Sequence, residues 1–282
     1  SPATFEKLGV EANDYVALKD LGFTALRLDY GFDDFDVVKD LLTNFELMLN
    51  ASVVNEQYII DAKAAGVDFT NISVLHNFYP KTETGLSFKY FDMMNRAFVK
   101  HGIKIMAFVP GDSLKRFPLY EGLPTVEQHR QKNPYVSTVE LIHDYGITDV
   151  LIGDSIARFE TLQYMQDYMS DRTMNIPVVL TEQGKEILNE SYAVRKDLSE
   201  NVVRLLRERT PGIPVLDNNV RLRGSITIEN TLSGRYSGEI QICKKDFPMD
   251  ARTNVLGFIH PDFVELVDYI DRDTKIKFVR VN

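Results

Sequence analysis

The stretch FTALRLDY, Phe23–Tyr30, is an apolar strand with a charged end, in which Leu26 and Leu28 take one side of the extended chain and Arg27 and Asp29 the other. Four more segments have the same apolar, strand-like texture: NFELMLNA (44–51), NISVLHN (71–77), IKIMAFVP (103–110) and TDVLIGDS (148–155). Helical periodicity separates them. EQYIIDAKAAG stops at Gly66, and SFKYFDMMNRAFVKHG is capped at Ser87 and stopped at Gly102. Strands alternating with helices make a parallel sheet, because parallel neighbours need a crossover connection, so the class is α/β.

An open doubly wound sheet and a closed eight-stranded barrel both fit this alternation, and the polar residues choose between them. Arg27 and Asp29 sit late in the first strand, Glu46 and Asn50 alternate with Phe45, Leu47 and Leu49 in the second, and Asp154 follows Leu151 and Gly153 in the fifth. Functional groups drawn from several strands belong at the C-terminal rim of a barrel. An open sheet concentrates them at one switch point, usually with a glycine-rich phosphate turn, and no G-x-G-x-x-G occurs. The expected fold is therefore a TIM-type (β/α)8 barrel. Five strands in roughly 155 residues are three too few for it. The chain is expected to lack its first three strands, about 80 to 100 residues at roughly 30 or more per strand–helix unit; the alternative is a partial barrel completed by a partner.

Beyond Thr173 the texture changes to strands rich in β-branched residues, RLRGSITIEN, GEIQICKKD, NVLGFIH and KIKFVRVN, with one helix expected in LSENVVRLLRER. YMSDRTMNIP carries the boundary, between Met169 and Pro177, giving a partial-barrel domain over 1–172 and a mostly-β domain over 173–282.

A chain of 282 residues that is 44% hydrophobic and 26% charged can bury a real core. The formal net charge of −9 argues against a nucleic-acid partner. Cys243, the lone cysteine, builds neither a disulfide framework nor a thiolate metal site, which fits a reducing, cytoplasmic setting. No run of 18 or so apolar residues marks a membrane span. Ser1 opens the given sequence without a signal-peptide pattern, so targeting information lies upstream if anywhere. The five histidines are scattered and no H-E-x-x-H occurs, so no metal is expected. No strand-end lysine suits a Schiff-base aldolase, and no serine has a nucleophile-elbow context.

The carboxylates carry the candidate chemistry. Asp29, Glu46 and Asp154 lie on strands, and Glu127 lies in EGLPTVEQHR after the fourth. Cleaving a glycosidic bond takes two such groups, one to protonate the leaving oxygen and one to attack the anomeric carbon or activate water. The structural alternatives are that Asp29 pairs with Arg27 and that Asp154 caps a helix beginning at Ile156. An acid at Glu46, inside a strand core, is costly unless paired or used. SVLHNFYP (73–80) ends its strand in His76, Asn77 and Tyr79, a ring, an amide and a phenol suited to sugar hydroxyls. Glu127, His129 and Arg130 share one helical turn, so that Glu127 can pair with Arg130. In the β domain Arg221, Arg223, Arg235 and Arg252 gather against the general charge and hint at a phosphate or carboxylate site. The alternative is that they pair with Glu229, Glu239 and Asp250.

Taken together, LRLDYGF, FELMLNAS, HNFYP with TGLS, EGLPTVEQHR, DVLIGDS, GRYSGEIQI and RTNVLG resemble the bacterial 6-phospho-N-acetylmuramidases over nearly the whole chain. The resemblance implies a TIM barrel followed by a cyclophilin-like β domain, with SPATF lying after the third barrel strand. It implies intracellular cleavage of a 6-phosphorylated N-acetylmuramic acid/N-acetylglucosamine disaccharide in cell-wall recycling, with no cofactor. Carried onto this sequence, it makes Asp29 and Glu127 the catalytic pair, with Glu46 in reserve. Arg27, Asn50, His76, Asn77, Tyr79, His129, Arg130, Asp154, Arg235 and Arg252 are the substrate-binding candidates. The expected partner is a small phosphorylated carbohydrate, with no nucleic acid and no membrane, and assembly into a homo-oligomer is compatible with the sequence. The competing readings are a non-catalytic phosphosugar-binding or regulatory protein and, by fold analogy alone, a prolyl isomerase in the β domain.

Overall fold

The structure, a computed structural model, describes residues 2–11, 14–29 and 32–281. Tyr30, the last residue of the opening stretch, lies outside them. The chain divides into two compact units, one of Ser1–Gln131 with Leu141–Ile156 and one of Lys132–Glu140 with Ala157–Asn282.

The first unit follows α1 (Pro2–Leu8) and α2 (Tyr15–Asp20) with β1 (Ala25–Leu28), α3 (Phe35–Leu42), β2 (Glu46–Asn50), α4 (Glu56–Ala64), β3 (Ile72–Leu75), α5 (Phe88–Lys100) and β4 (Lys104–Val109). α6 (Pro134–Tyr145) and β5 (Asp149–Ile152) come next along the chain. Side-chain caps start several of these helices. Asn55 accepts from the Tyr58 N–H at 2.9 Å to open α4, and Ser87 accepts from Tyr90 at 3.3 Å to open α5. The expected stops hold: Gly66 (φ +86°) and Gly102 (φ +68°) take the left-handed conformation just past α4 and α5.

All five strands are parallel and lie in the order β1-β2-β3-β4-β5. Spatial order equals chain order, with no reversal, so this sheet has no switch point of the doubly wound kind. Leu47, Leu49, Val74, Ile105, Ala107 and Val109 are all buried beneath the helices, where Val38 and Leu41 of α3, Ile59 and Ala62 of α4, and Phe91 and Phe98 of α5 are also buried.

In the second unit α7 (Phe159–Asp171) leads into β6 (Thr173–Leu180), β7 (Ser191–Ala193), β8 (Val202–Arg204), β9 (Ser225–Glu229), β10 (Ile240–Cys243), β11 (Thr253–Ile259) and β12 (Lys275–Arg280). They form one sheet in the order β7-β12-β6-β11-β9-β10-β8, antiparallel except for β12 against β6. Its two edges meet. Val194 bridges Leu205, and the Leu206 N–H donates to the Ala193 carbonyl at 2.8 Å, so the sheet curls round on itself over a core of Ile176, Val203, Ile226, Ile228, Ile240, Ile276 and Phe278. Such closure leaves no free edge to aggregate.

The helix expected in LSENVVRLLRER is absent. Residues 198–209 are extended around β8, which pairs with β10. Val203 and Leu205 are buried while Val202 and Arg204 between and beside them are only half-buried, a period of two rather than 3.6, and β-branched Val202 and Val203 favour that choice. Among the described residues no helix is long and apolar enough to cross a membrane.

Candidate functional site

Strand register sorts the predicted residues by face. Arg27 pairs with Met48 and Met48 with Ser73, so Arg27, Met48 and Ser73 share one face; two residues further along each strand this face carries Asp29, Asn50 and Leu75, and Asn77 follows Leu75. The opposite face carries Leu28, Leu49 and Val74, and then His76. Three of the candidates, Arg27, Asp29 and Asn77, are brought together at the C-terminal ends of β1 and β3. The Arg27 Nε lies 3.1 Å from Asp29 Oδ1, and its Nη2 donates to the Asn77 side-chain oxygen, Oδ1. The structural alternative for Asp29, pairing with Arg27, is thus realised, and the Asp29 side chain is nevertheless 57% exposed and free to meet a ligand. Asn50 is buried at the end of β2, where its side-chain oxygen accepts from the Ser52 N–H at 2.9 Å.

Asp29 also lines a cavity of about 640 Å3 with Leu28, Leu49, Phe32, Phe35, Val53, Val54 and the polar Asp33, Asn55, Gln57, Tyr58 and Asp61. This size is in the range of small-ligand sites. Tyr58 donates its phenol to the Phe32 carbonyl at 3.0 Å, and burial, with the nearby Asp33 carboxylate, holds that phenol above its usual range. Asp33 is not among the sequence candidates. Its only signal was the acidic run GFDDFD, which reads equally well as the start of α3, and Asp34 does cap that helix.

The structure separates the other candidates from this group. Glu46 opens β2, four residues before Asn50 at the far end of the strand, and is exposed, so its supposed burial in a strand core does not occur. His76 is completely buried on the helix side: it contacts the Phe91 ring and meets Asn95 Oδ1 with Nε2 at 2.7 Å. Desolvation lowers its pKa to about 4, so it is a neutral core histidine near neutral pH rather than a proton-exchanging ring at a mouth. His129 is buried against Phe88. Asp154 caps no helix; α7 begins only at Phe159. Its buried carboxylate accepts from the backbone N–H groups of Gly111 (2.8 Å) and Arg116 (2.9 Å), pinning the loop after β4.

Glu127 and Arg130 do pair, closely, with Nε to Oε1 at 2.6 Å and Nη2 to Oε2 at 2.7 Å. The same carboxylate accepts from the Glu83 N–H at 2.9 Å and the Gly85 N–H at 2.7 Å, while Arg130 reaches the carbonyls of Tyr79, Lys81 and Gly122. The Arg130 guanidinium, and with it those two backbone donors, holds the Glu127 carboxyl down at about 2 despite an opposing contribution from desolvation. A group so held is an anionic clasp on the 79–86 loop, a poor proton donor at neutral pH. Tyr79 enters this clasp through its backbone, by its carbonyl to Arg130 and its N–H to the Pro124 carbonyl.

In the second unit the arginines are mostly engaged. Arg252 pairs with Asp250 at 2.8 Å, Arg223 with Asp268 at 2.6 Å, and Arg235 donates to the Tyr236 phenol at 2.9 Å. Glu239 is taken by Arg204 and Arg209, neither of them singled out in the sequence.

Two crystal structures resemble the whole chain. One, of a conserved protein from a locus in Enterococcus faecalis with an unknown function, is 29% identical, with a TM-score of 0.82 over 99% of this chain and 78% of that one. The other, of an uncharacterized B. cereus protein, is also 29% identical, with a TM-score of 0.80 over 96% of this chain and 82% of that one. No curated protein matches. The family model for the N-terminal part of 6-phospho-N-acetylmuramidase matches residues 1–167, and that for its C-terminal part matches residues 173–279. With both halves matched in order across nearly its full length, the chain belongs to the 6-phospho-N-acetylmuramidase family.

Proposed function

We propose that the protein is a glycoside hydrolase acting on a 6-phosphorylated N-acetylmuramic acid/N-acetylglucosamine disaccharide during cell-wall recycling in the cytoplasm. The observation that carries this is Asp29, which meets Arg27 in the group at the ends of β1 and β3 that also holds Asn77, and which alone of these three lines the 640 Å3 cavity. Asp29 is one of the two carboxylates that glycosidic cleavage takes, and Asp33, on the wall of the same cavity, is the other. Arg27 offers a guanidinium to an anionic substituent, and the Asn77 amide, its oxygen occupied by Arg27, has its N–H groups left for a sugar oxygen. Glu127 is assigned to the clasp rather than to the pair, for the reasons of charge and hydrogen bonding above.

The parallel sheet is read as part of a (β/α)8 barrel, supported by its sequential strand order, and the closed antiparallel sheet as a cyclophilin-like domain, with the division near residue 173. The test is to incubate the protein with the phosphorylated disaccharide and follow released sugars. Asp29→Asn and Asp33→Asn are each expected to lower turnover about a hundredfold or more. Unchanged turnover in either removes that residue from the mechanism, and binding with no hydrolysis by the unaltered protein makes it a phosphosugar-binding protein instead.

A further inference from the structure

A second cavity, also about 640 Å3, opens in the β unit over the ends of β8–β11, on the side of β8 and β10 away from buried Val203, Ile240 and Ile242. Three arginines line it, Arg204, Arg221 and Arg252, and three acids, Glu229, Glu239 and Asp250. Two pairs are closed. Arg204 grips Glu239 through two 2.9 Å bonds, and Arg252 grips Asp250 at 3.0 and 2.8 Å. That leaves one charge of each sign. Among the described residues the Arg221 guanidinium has no carboxylate within ion-pair range, Asp250 feeling it only from further off; its Nε and Nη2 donate to the Pro248 carbonyl at 3.1 Å, which leaves three of its five N–H groups. Among the described residues Glu229 has no cation within ion-pair range, Arg252 feeling it only from further off, and its carboxylate accepts from the hydroxyls of Ser233 and Thr253.

Both groups are held in place. Arg221 is fixed at its backbone by hydrogen bonds with Phe247 in both directions, at 3.0 and 2.7 Å, and its guanidinium lies over the Phe247 ring. Glu229 ends β9 with both carboxylate oxygens anchored. Two half-buried charges of opposite sign on the wall of one cavity, neither of them in a direct ion pair, point to a ligand that completes them. A phosphate does not: two of the three guanidiniums are already neutralised, so a dianion would gain one free arginine and face three carboxylates. A simple cation meets the converse objection at Arg221.

We propose that this cavity binds a small zwitterion, a compound with one carboxylate and one ammonium group, the carboxylate on Arg221 and the ammonium on Glu229. Free α-amino acids and amino-sugar acids share that chemistry. The site shares no lining residue with the Asp29 cavity and does not depend on the glycosidase reading.

Calorimetric titration of the full chain with alanine, muramic acid, N-acetylmuramic acid and glucosamine tests it. Alanine and muramic acid carry both charges, N-acetylmuramic acid only the carboxylate and glucosamine only the ammonium. At least one zwitterion is expected to bind tenfold or more tightly than either singly charged sugar, and which one binds identifies the source. Arg221→Met and Glu229→Gln are each expected to weaken that binding at least tenfold, and Asp29→Asn to leave it unchanged. Should Arg221→Met fail to fold, Glu229→Gln decides alone, since it keeps the side-chain shape and an acceptor for the hydroxyls. Absence of zwitterion binding, equal binding of the singly charged sugars, indifference to the substitutions, or loss in Asp29→Asn overturns the proposal.

Discussion

At the scale of single residues, the acids that look alike in sequence do different things once their partners are counted. Glu127 and Asp154 each read in sequence as an acid near a strand end, yet each spends its oxygens on backbone donors and neighbouring cations, whereas Asp29 keeps an exposed carboxylate. Arg130 shows how far the clasp goes. Its side chain is 4% exposed, and the bonds to Glu127, Tyr79, Lys81 and Gly122 occupy all its N–H groups. Removing the Glu127 charge leaves a guanidinium out of water with its ion partner gone. Glu127→Gln is therefore expected to lose about 3 kcal/mol of stability at pH 7 in urea titrations, and Arg130→Lys a comparable amount, because an ammonium cannot span these four residues. Turnover measured well below the melting temperature separates the clasp from catalysis. A folded Glu127→Gln protein that hydrolyses nothing would return Glu127 to the catalytic pair.

At the scale of elements, alternation and capping were legible: all five parallel strands, the Ser87 cap and the Gly66 and Gly102 stops lie where the sequence pattern puts them. Side-chain direction beyond a strand end was not. In sequence His76 and Asn77 read as one binding tip, although adjacent residues of an extended chain point to opposite faces, and the one goes under α5 while the other meets Arg27. Nor could spacing show that residues 111–116, far from Asp154 in sequence, fold back onto its carboxylate. That return depends on a close approach at Gly111, where a Cβ would lie 2.7 Å from the Ile156 carbonyl oxygen and 3.0 Å from the Asp154 Cβ. A backbone oxygen at that distance cannot step aside as a flexible side chain can. Gly111→Ala is expected to push the loop off Asp154 and speed amide hydrogen exchange at Gly111 and Arg116 by tenfold or more, with exchange in β1 unchanged. Equal protection in both proteins means the loop is held by something other than this clasp.

At the scale of the whole molecule, the buried and half-buried titratable groups set how stability varies with pH, and each has a sign. Glu127 and Asp250 are held at about 2 by Arg130 and Arg252; burial pushes Glu239 up, but Arg204, Gln241 and Arg209 outweigh it and bring it to about 2 as well. Carboxyls depressed in the fold stabilise it above their unfolded pKa, 4.5 for glutamate and 3.8 for aspartate, and lose that contribution as pH falls toward 2. His76 also has a depressed value, about 4 against 6.5 unfolded, for a different reason: the buried ring resists charging while the unfolded ring accepts a proton. Its contribution is complete above 6.5 and fades as pH falls to 4, a loss of about 3 kcal/mol at roughly 1.4 kcal/mol per pKa unit. On the alkaline side burial pushes the Cys243 thiol up to about 11 from 9.0, so stability declines as pH rises from 9 to 11 while the unfolded thiol ionises first. Urea midpoints measured from pH 3 to 10 are therefore expected to form a plateau between about 6.5 and 9, with a first decline below 6.5 owed to His76 and a steeper one below 4.5 owed to the clasped carboxylates. The His76 ring protons, followed by NMR, are expected to titrate near pH 4. A midpoint that stays constant from pH 6.5 to 4.5, or a His76 titration near 6.5, contradicts a buried neutral imidazole and with it the assignment of this residue to the core rather than to the mouth of the sheet.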